Sequence, residues 1–265
     1  MTVSLIISTY NRPDALEVVL LSVSKQTVLP DEIIIADDGS TEATANVIWK
    51  WNDSSLLPLK IKHIWQDDDG FRLAMIRNKA IAASESDYII QIDGDAFIHP
   101  RFIQDHLKAA KKGTFVKGSR IMLDKSISEK ICCSGRYYFP SLFSKHIEHY
   151  REKAFRCAPL RWLFKSFNPN DLSALGCNMA FWKEDAINVN GYDEEFTGWG
   201  HEDTDFTMRL NRNGVKKQNL RYAALIYHLW HPQAGDGKKN AVLRDQQEKR
   251  GNAKALRGIS QYLEP

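Results

Sequence analysis

From Val3 to Asp95 the chain repeats one pattern, an apolar run followed by a polar loop and an amphipathic stretch. Val3–Ser8 reads as a buried strand, Thr9-Tyr10-Asn11-Arg12 as its loop, and Pro13 opens a helix with Leu16, Val19, Leu20 and Val23 on one face. Glu32–Ala36 leads through Asp37-Asp38-Gly39-Ser40-Thr41 into a helix carrying Ala45, Val47, Ile48 and Trp51. Lys60–Trp65 leads through Gln66-Asp67-Asp68-Asp69-Gly70 into a helix from near Arg72 to Ala83, and a further run, Asp87–Ile92, ends in Asp93-Gly94-Asp95. Strands alternating with helices predict an α/β fold whose mainly parallel sheet is flanked by helices, joined by right-handed crossovers. Ligands of such sheets gather outside the carboxyl ends of the strands. Tyr10-Asn11, Asp37-Asp38 and Asp93–Asp95 are therefore predicted neighbours.

Two readings of Asp93-Gly94-Asp95 stay open on these residues alone. Positions two apart on extended chain share a face, so both carboxylates can converge on one cation while Gly94 lets the backbone come close. An Asp-Gly pair is equally a solvated turn former. No glycine-rich fingerprint follows the first strand and no Walker sequence occurs, which weakens dinucleotide-dehydrogenase and P-loop readings.

Composition narrows the class. The 265 residues are 43% hydrophobic, enough for a sizeable core, and the formal charge of +3 argues against nucleic acid as a partner. Cys132, Cys133, Cys157 and Cys177 form neither a disulfide framework nor a zinc spacing, which fits a reducing compartment. With no basic leader and no apolar run of about 18 residues, a cytoplasmic protein without a membrane span is expected.

Beyond Asp95 a helix over Phe102–Lys111 and a strand over Thr114–Met122 are predicted, and then the rhythm stops. Between Lys145 and Lys165, Lys145, Arg151, Lys153, Arg156, Arg161 and Lys165 interleave with Tyr150, Phe155, Trp162 and Phe164. Two readings compete: a helical pair with a solvated charged face, or a lid or surface that meets anionic lipid headgroups, giving peripheral membrane contact through 145–165. Leu175–Phe181 reads as a strand. In Gly198-Trp199-Gly200-His201-Glu202-Asp203 two glycines flank an aromatic ring and acids open a helix, where they either favour the dipole or serve a site. Ala224–Pro232 ends an apolar strand with His228 and His231, and a histidine at a strand end can ligate metal. From Gln233 onward a loop and a surface helix are expected.

These ordered motifs resemble the inverting, metal-dependent glycosyltransferases of family 2 with the GT-A fold, over roughly Val3 to Pro232. Ser8–Arg12 resembles the family's opening loop, Asp37-Asp38-Gly39-Ser40 its uracil- and ribose-binding turn, Gly70 with Arg77-Asn78 its donor-side helix, and Asp93-Gly94-Asp95 its DXD motif. Gly198–Asp203 resembles a segment shared by beta-1,4-galactosyltransferases, chondroitin polymerases and polypeptide N-acetylgalactosaminyltransferases, except that His201 stands where those relatives often have glycine. The resemblance implies a single GT-A domain over 1–232, with a nucleotide-sugar half (1–123), a basic aromatic insertion (124–170) and an acceptor half (171–232), then an extension over 233–265. It implies that Asp203 is the base, with Glu202 in reserve or on the acceptor. Thr9, Tyr10, Asn11, Arg12, Asp37, Asp38, Arg77, Asp93 and Gly94 would take the donor, Arg77 pairing with a carboxylate or the diphosphate. Asp95 and His228 would hold a divalent metal, Mn2+ favoured over Mg2+. Trp199, Gly200 and His201 would meet the acceptor, although Trp199 reads equally well as core. The implied partners are a nucleotide-sugar donor, a UDP-sugar by expectation, and a glycan or glycolipid acceptor of lipopolysaccharide or capsule. A catalytically silent nucleotide-sugar sensor or scaffold is the competing function.

Overall fold

The computed structural model describes residues 1–157, 160, 175–232 and 235–263. The alternation yields the predicted units: β1 (Val3–Thr9), α1 (Pro13–Ser24), β2 (Glu32–Asp37), α2 (Glu42–Asn52), β3 (Ile61–Trp65), α3 (Leu73–Ala83) and β4 (Tyr88–Asp93). There follow β5 (Ala96–Ile98), α4 (Phe102–Ala109), β6 (Thr114–Lys117), β7 (Ser119–Leu123), α5 (Lys125–Ser134), β8 (Ile147–His149) and β9 (Asn178–Trp182). The described chain closes with α6 (Lys183–Asn188), α7 (Glu202–Arg212), β10 (Lys216–Asn219), β11 (Leu225–His228) and α8 (Lys238–Arg250).

A seven-stranded sheet runs β10-β6-β9-β4-β1-β2-β3, and a four-stranded sheet runs β5-β11-β7-β8. In the larger sheet β1, β2, β3 and β4 pair in parallel, while β9 lies antiparallel between β4 and β6. Helices on both faces explain the unbroken apolar strands. Leu5, Ile7, Ile33, Ile35, Ile90 and Ile92 pack towards α1 and α2, whereas Ile6, Ile34 and Ile89 pack towards α3 and α7. Truncating one of these isoleucines to alanine would cost about 2–5 kcal/mol.

Thr114–Met122, expected as one strand, is two strands in different sheets. The chain leaves the large sheet at Gly118, where a Cβ would lie 2.2 Å from Asn178 Oδ1. Asn178 is fully buried; its amide donates to Ser119 O and Ala224 O, both at 2.8 Å, and its Oδ1 lies 3.0 Å from His106 Nε2. One side chain thus staples the two sheets. The other crossing is at Asp93-Gly94-Asp95, because Asp93 ends β4 in the large sheet and Asp95 immediately precedes β5 in the small one.

The insertion departs from a helical pair. Its described part holds α5, the short β8 and a turn of 3₁₀ helix at Arg151–Lys153, while Arg161, Trp162, Phe164 and Lys165 lie outside the described residues. Arg156 does not join a lipid-facing row: its guanidinium makes a bidentate pair with buried Asp105, at 2.8 and 2.7 Å. Among the described residues no helix is long and apolar enough to cross a membrane. Nor is 233–265 a mere surface extension, since Asn240, Gln247, Ala255 and Ile259 are buried.

Candidate active site

Strand register gathers the predicted loops. Ser8 pairs with Asp93 and Thr9 with Asp37, so the ends of β4 and β2 flank the end of β1. Gly94 N–H donates to Ser8 O at 2.7 Å, and a Cβ on Gly94 would press to 3.0 Å from Ser8 O and Thr9 Oγ1.

Beyond Gly94, the antiparallel β5–β11 pairing sets His228 opposite Ala96, and Leu229 N–H donates to Asp95 O. Asp95 Oδ1 lies 3.3 Å from His228 Nε2, and its Oδ2 lies 3.3 Å from His231 Nε2. Both imidazoles face carbonyls on their other side: His228 Nδ1 is 2.9 Å from Leu229 O, and His231 Nδ1 is 2.8 Å from Pro232 O. A carbonyl only accepts, so Nδ1 is the donor there, and Nε2 is the nitrogen each ring turns to Asp95 and could offer a metal. The three ligand atoms fall within 4.8 Å of one another. Asp95 Oδ1 is buried without a hydrogen-bond partner, which a protein tolerates where a ligand completes the group. One carboxylate and two imidazoles fit a divalent transition-metal cation. His231 was not in the expected ligand pair; the H-x-x-H spacing from His228 was its signal.

Arg77 takes the carboxylate alternative. The buried side chain donates from Nη2 to Asp93 Oδ1 and from Nη1 to Glu202 Oε1, each at 3.0 Å, with its guanidinium 5.4 Å from the centre of the Tyr192 ring. It ties the end of β4 to the start of α7 and is not free for a diphosphate. Burial raises the Asp93 pKa, with Asp95 adding to the rise and Arg77 opposing it. Burial and the neighbouring Asp203 push Glu202 up to about 7 against the pull of Arg77. Glu202 Oε2 and Thr9 Oγ1, like Asp95 Oδ1, are buried with no partner.

Asp203, one residue on, is only partly buried. Among the described residues its Oδ2 accepts from Gly176 N at 2.9 Å, and Oδ1 has one longer contact, with the Thr204 hydroxyl at 3.3 Å. A fixed carboxylate with one oxygen largely free is the form a general base requires. The nearby Asp205 is structural, paired with Arg209 at 2.7 Å inside the fold. Before α7, Gly198, Gly200 and His201 all adopt positive φ, of 82°, 94° and 71°. The left-handed conformation of His201 is one that glycine meets without strain. Trp199 is 40% exposed and belongs to none of the apolar core clusters, so it is not the core residue it could equally have been.

The nucleotide-side residues divide. Tyr10 is 47% exposed, and its hydroxyl donates to Asp68 Oδ2 at 3.1 Å. Asn11, at φ 48°, closes onto the next loop: its N–H donates to Ser40 Oγ and its Oδ1 accepts from Thr41 N. Arg12 pairs with Asp14 at 3.2 Å and lines a cavity of about 250 Å³ together with Cys132, Trp230 and His231. Asp37 accepts from Ser40 N and lies 2.9 Å from His63 Nε2. Asp38 is buried, accepting from Gln66 Nε2 and Arg72 N, so both its oxygens already serve the turn that was expected to offer them to a base.

With that geometry in place, two family models match end to end: "Glycosyl transferase family 2" over residues 4–168 and "N-terminal domain of galactosyltransferase" over 165–232. The chain belongs to glycosyl transferase family 2. It is 30% identical over 232 residues to validoxylamine A glucosyltransferase of Streptomyces hygroscopicus subsp. jinggangensis, covering 80% of this chain and 52% of that protein. It is 28% identical over 260 residues to chondroitin synthase of Escherichia coli, covering 91% of this chain and 36% of that protein. The chain thus spans about half the length, or less, of these curated relatives. Among solved structures, S. aureus TarS 1–349 in complex with UDP-GlcNAc superposes with a TM-score of 0.68 at 16% identity, covering 99% of this chain and 69% of that one. The mannosyltransferase PcManGT from Pyrobaculum calidifontis, in complex with GDP-Man and Mn2+, gives 0.60 at 15% identity, covering 92% and 60%. At such identities the likeness shows the fold alone, that of the GT-A glycosyltransferases.

Proposed function

We propose that this chain is a metal-dependent inverting glycosyltransferase that moves a hexose or N-acetylhexosamine from a UDP-sugar to a glycan acceptor, in assembly of bacterial lipopolysaccharide or capsule at the cytoplasmic face of the membrane. The observation that carries the proposal is the pairing of two constellations at one sheet edge: Asp95 with His228 and His231, and Arg77 with Asp93, Glu202 and Asp203. S. aureus TarS in complex with UDP-GlcNAc and PcManGT in complex with GDP-Man and Mn2+ support a nucleotide-sugar donor.

Asp95, His228 and His231 would hold a divalent cation, Mn2+ favoured over Mg2+ by the nitrogen ligands, which neutralises charge developing on the departing diphosphate. Tyr10 offers a ring face to the base, and Thr9 Oγ1 an unmet polar atom beside the donor. Asp203 takes the acceptor hydroxyl's proton as its oxygen bonds to the anomeric carbon from the face opposite the leaving group, inverting that carbon. Glu202, buried on Arg77, is better suited to fixing α7 than to exchanging protons with an acceptor. Trp199 offers an apolar face to the acceptor ring.

Release of UDP from UDP-sugars in Mn2+ buffer, followed with a panel of glycan acceptors, tests the assignment. Binding without turnover on every pair would leave the silent-sensor reading in its place. Peripheral membrane contact rests on the exposed part of the insertion, where Phe143 is 86% exposed near Lys145 and Arg151. Loss of sedimentation with anionic vesicles in Lys145→Glu with Arg151→Glu supports that contact, and unchanged sedimentation removes it.

A further inference from the structure

We propose that Asn240, on a helix beyond both matched family regions, is the positioning residue that fixes the Gly198–His201 loop and so sets acceptor binding; this rests on the reading of that loop as the acceptor side. The loop has little of its own to hold it. Three of its four residues sit in the left-handed region, and glycine at two of them leaves many backbone conformations open. Its own apolar anchor, Trp199, is half exposed.

Gly198 N–H donates to Phe71 O at 2.8 Å, and the side-chain restraint on the loop comes from α8. Asn240 is 1% exposed, and its Nδ2 donates to the carbonyls of Gly200 at 2.8 Å, Gly198 at 3.3 Å and Trp199 at 3.4 Å. Carbonyls cannot donate, so the amide orientation is fixed, and Oδ1 is buried without a partner. The residue's hydrogen bonding is spent on one loop. Neighbouring side chains follow the same segment: Lys239 Nζ donates to Thr197 Oγ1 at 3.0 Å, Arg244 Nη1 lies 3.4 Å from His201 Nδ1, and Gln247 Nε2 donates to Asp193 and Glu195. Gly237, at the start of the helix, lies so close that a Cβ would be 3.2 Å from the Trp199 ring. Because Glu202 and Asp203 follow the loop directly, the clamp also sets where α7 begins.

The test compares wild type, Asn240→Asp and the control Val242→Ala, whose side chain is exposed on the same helix. Asn240→Asp keeps the shape and removes the donor; Asn240→Ser takes its place if that protein does not fold. Amide hydrogen exchange over 198–202 should rise about ten-fold or more in the Asn240 variant, with β1 and β4 unchanged. With UDP-GlcNAc, Mn2+ and p-nitrophenyl glycosides as probes, KM for the acceptor should rise about ten-fold while sugar transfer to water stays within about two-fold. Val242→Ala should match wild type in both. Unchanged exchange at the loop, or transfer to glycoside and to water falling together, overturns the role of Asn240. A wild type that transfers sugar to neither from UDP-GlcNAc or any other member of a UDP-sugar panel overturns the sugar-transfer reading itself, and the exchange result then still decides whether Asn240 holds the loop.

Discussion

Thr9, Asp37 and Asp93 stand at the ends of adjacent strands whose every apolar residue is buried, whereas Gly198–His201 is held by one backbone bond to Phe71 and by a helix that reaches it through Asn240 and Arg244. The proposed donor side of the cleft is thus positioned by apolar burial beneath it, and the proposed acceptor side largely by polar side chains beside it. Burial over a whole sheet is hard to disturb at one point. A polar clamp can be retuned by a single substitution, which makes the acceptor side the more adjustable half.

Asp95→Ala should have the largest effect and confine it to the donor half: Mn2+-dependent binding of UDP, read by calorimetry, disappears and turnover with it. Retention of EDTA-sensitive binding would detach Asp95 from the metal and blur the division. Asp203→Asn should act on the other half, lowering kcat by about 10²–10⁴-fold. UDP affinity measured in parallel should not move; if it does, the halves are not separable at this residue. Arg77→Met probes the bridge between them. Removing it leaves two carboxylates facing each other, one of them largely buried, and the loss of about 3–5 kcal/mol should appear as a Tm lower by about 10 °C. An unchanged Tm would mean that each half stands without the bridge. The smallest effect is expected from Glu202→Gln. Because the pKa of Glu202 is raised in the fold, its contribution to stability is complete below the ordinary carboxylate range and is lost as pH climbs through about 7. The Tm of Glu202→Gln relative to wild type should therefore improve by a few degrees between about pH 5 and about pH 8, and a constant difference would remove the strained carboxylate from the bridge.

The same contrast governs what could be read in the chain. Strands buried on both faces leave uninterrupted runs such as Ile33-Ile34-Ile35, and polar residues at their ends mark the site, so the sheet, the loop neighbours and Asp95 with His228 were legible. The anchoring face of α8 consists of Asn240, Arg244 and Gln247, which has no apolar period, so 233–265 read as surface. Arg156 looked like a solvated charge because its partner Asp105 is distant in sequence, and the break of Thr114–Met122 depended on Asn178 filling the space over Gly118. His231 was visible as H-x-x-H, yet that both imidazoles turn Nε2 to Asp95 is set by carbonyl contacts of Nδ1 at and beyond the end of β11.

The crossing at Gly94 has a mechanical consequence. Asp93 rides on the large sheet with Arg77, and Asp95 on the small sheet with the histidines, so the gap between these carboxylates is a gauge of how the two sheets sit against each other. Like the jaws of a calliper, they mark the separation of the two sheets at the place proposed for donor and cation. Asn178, stapling both sheets from the far side, is the screw that sets the opening.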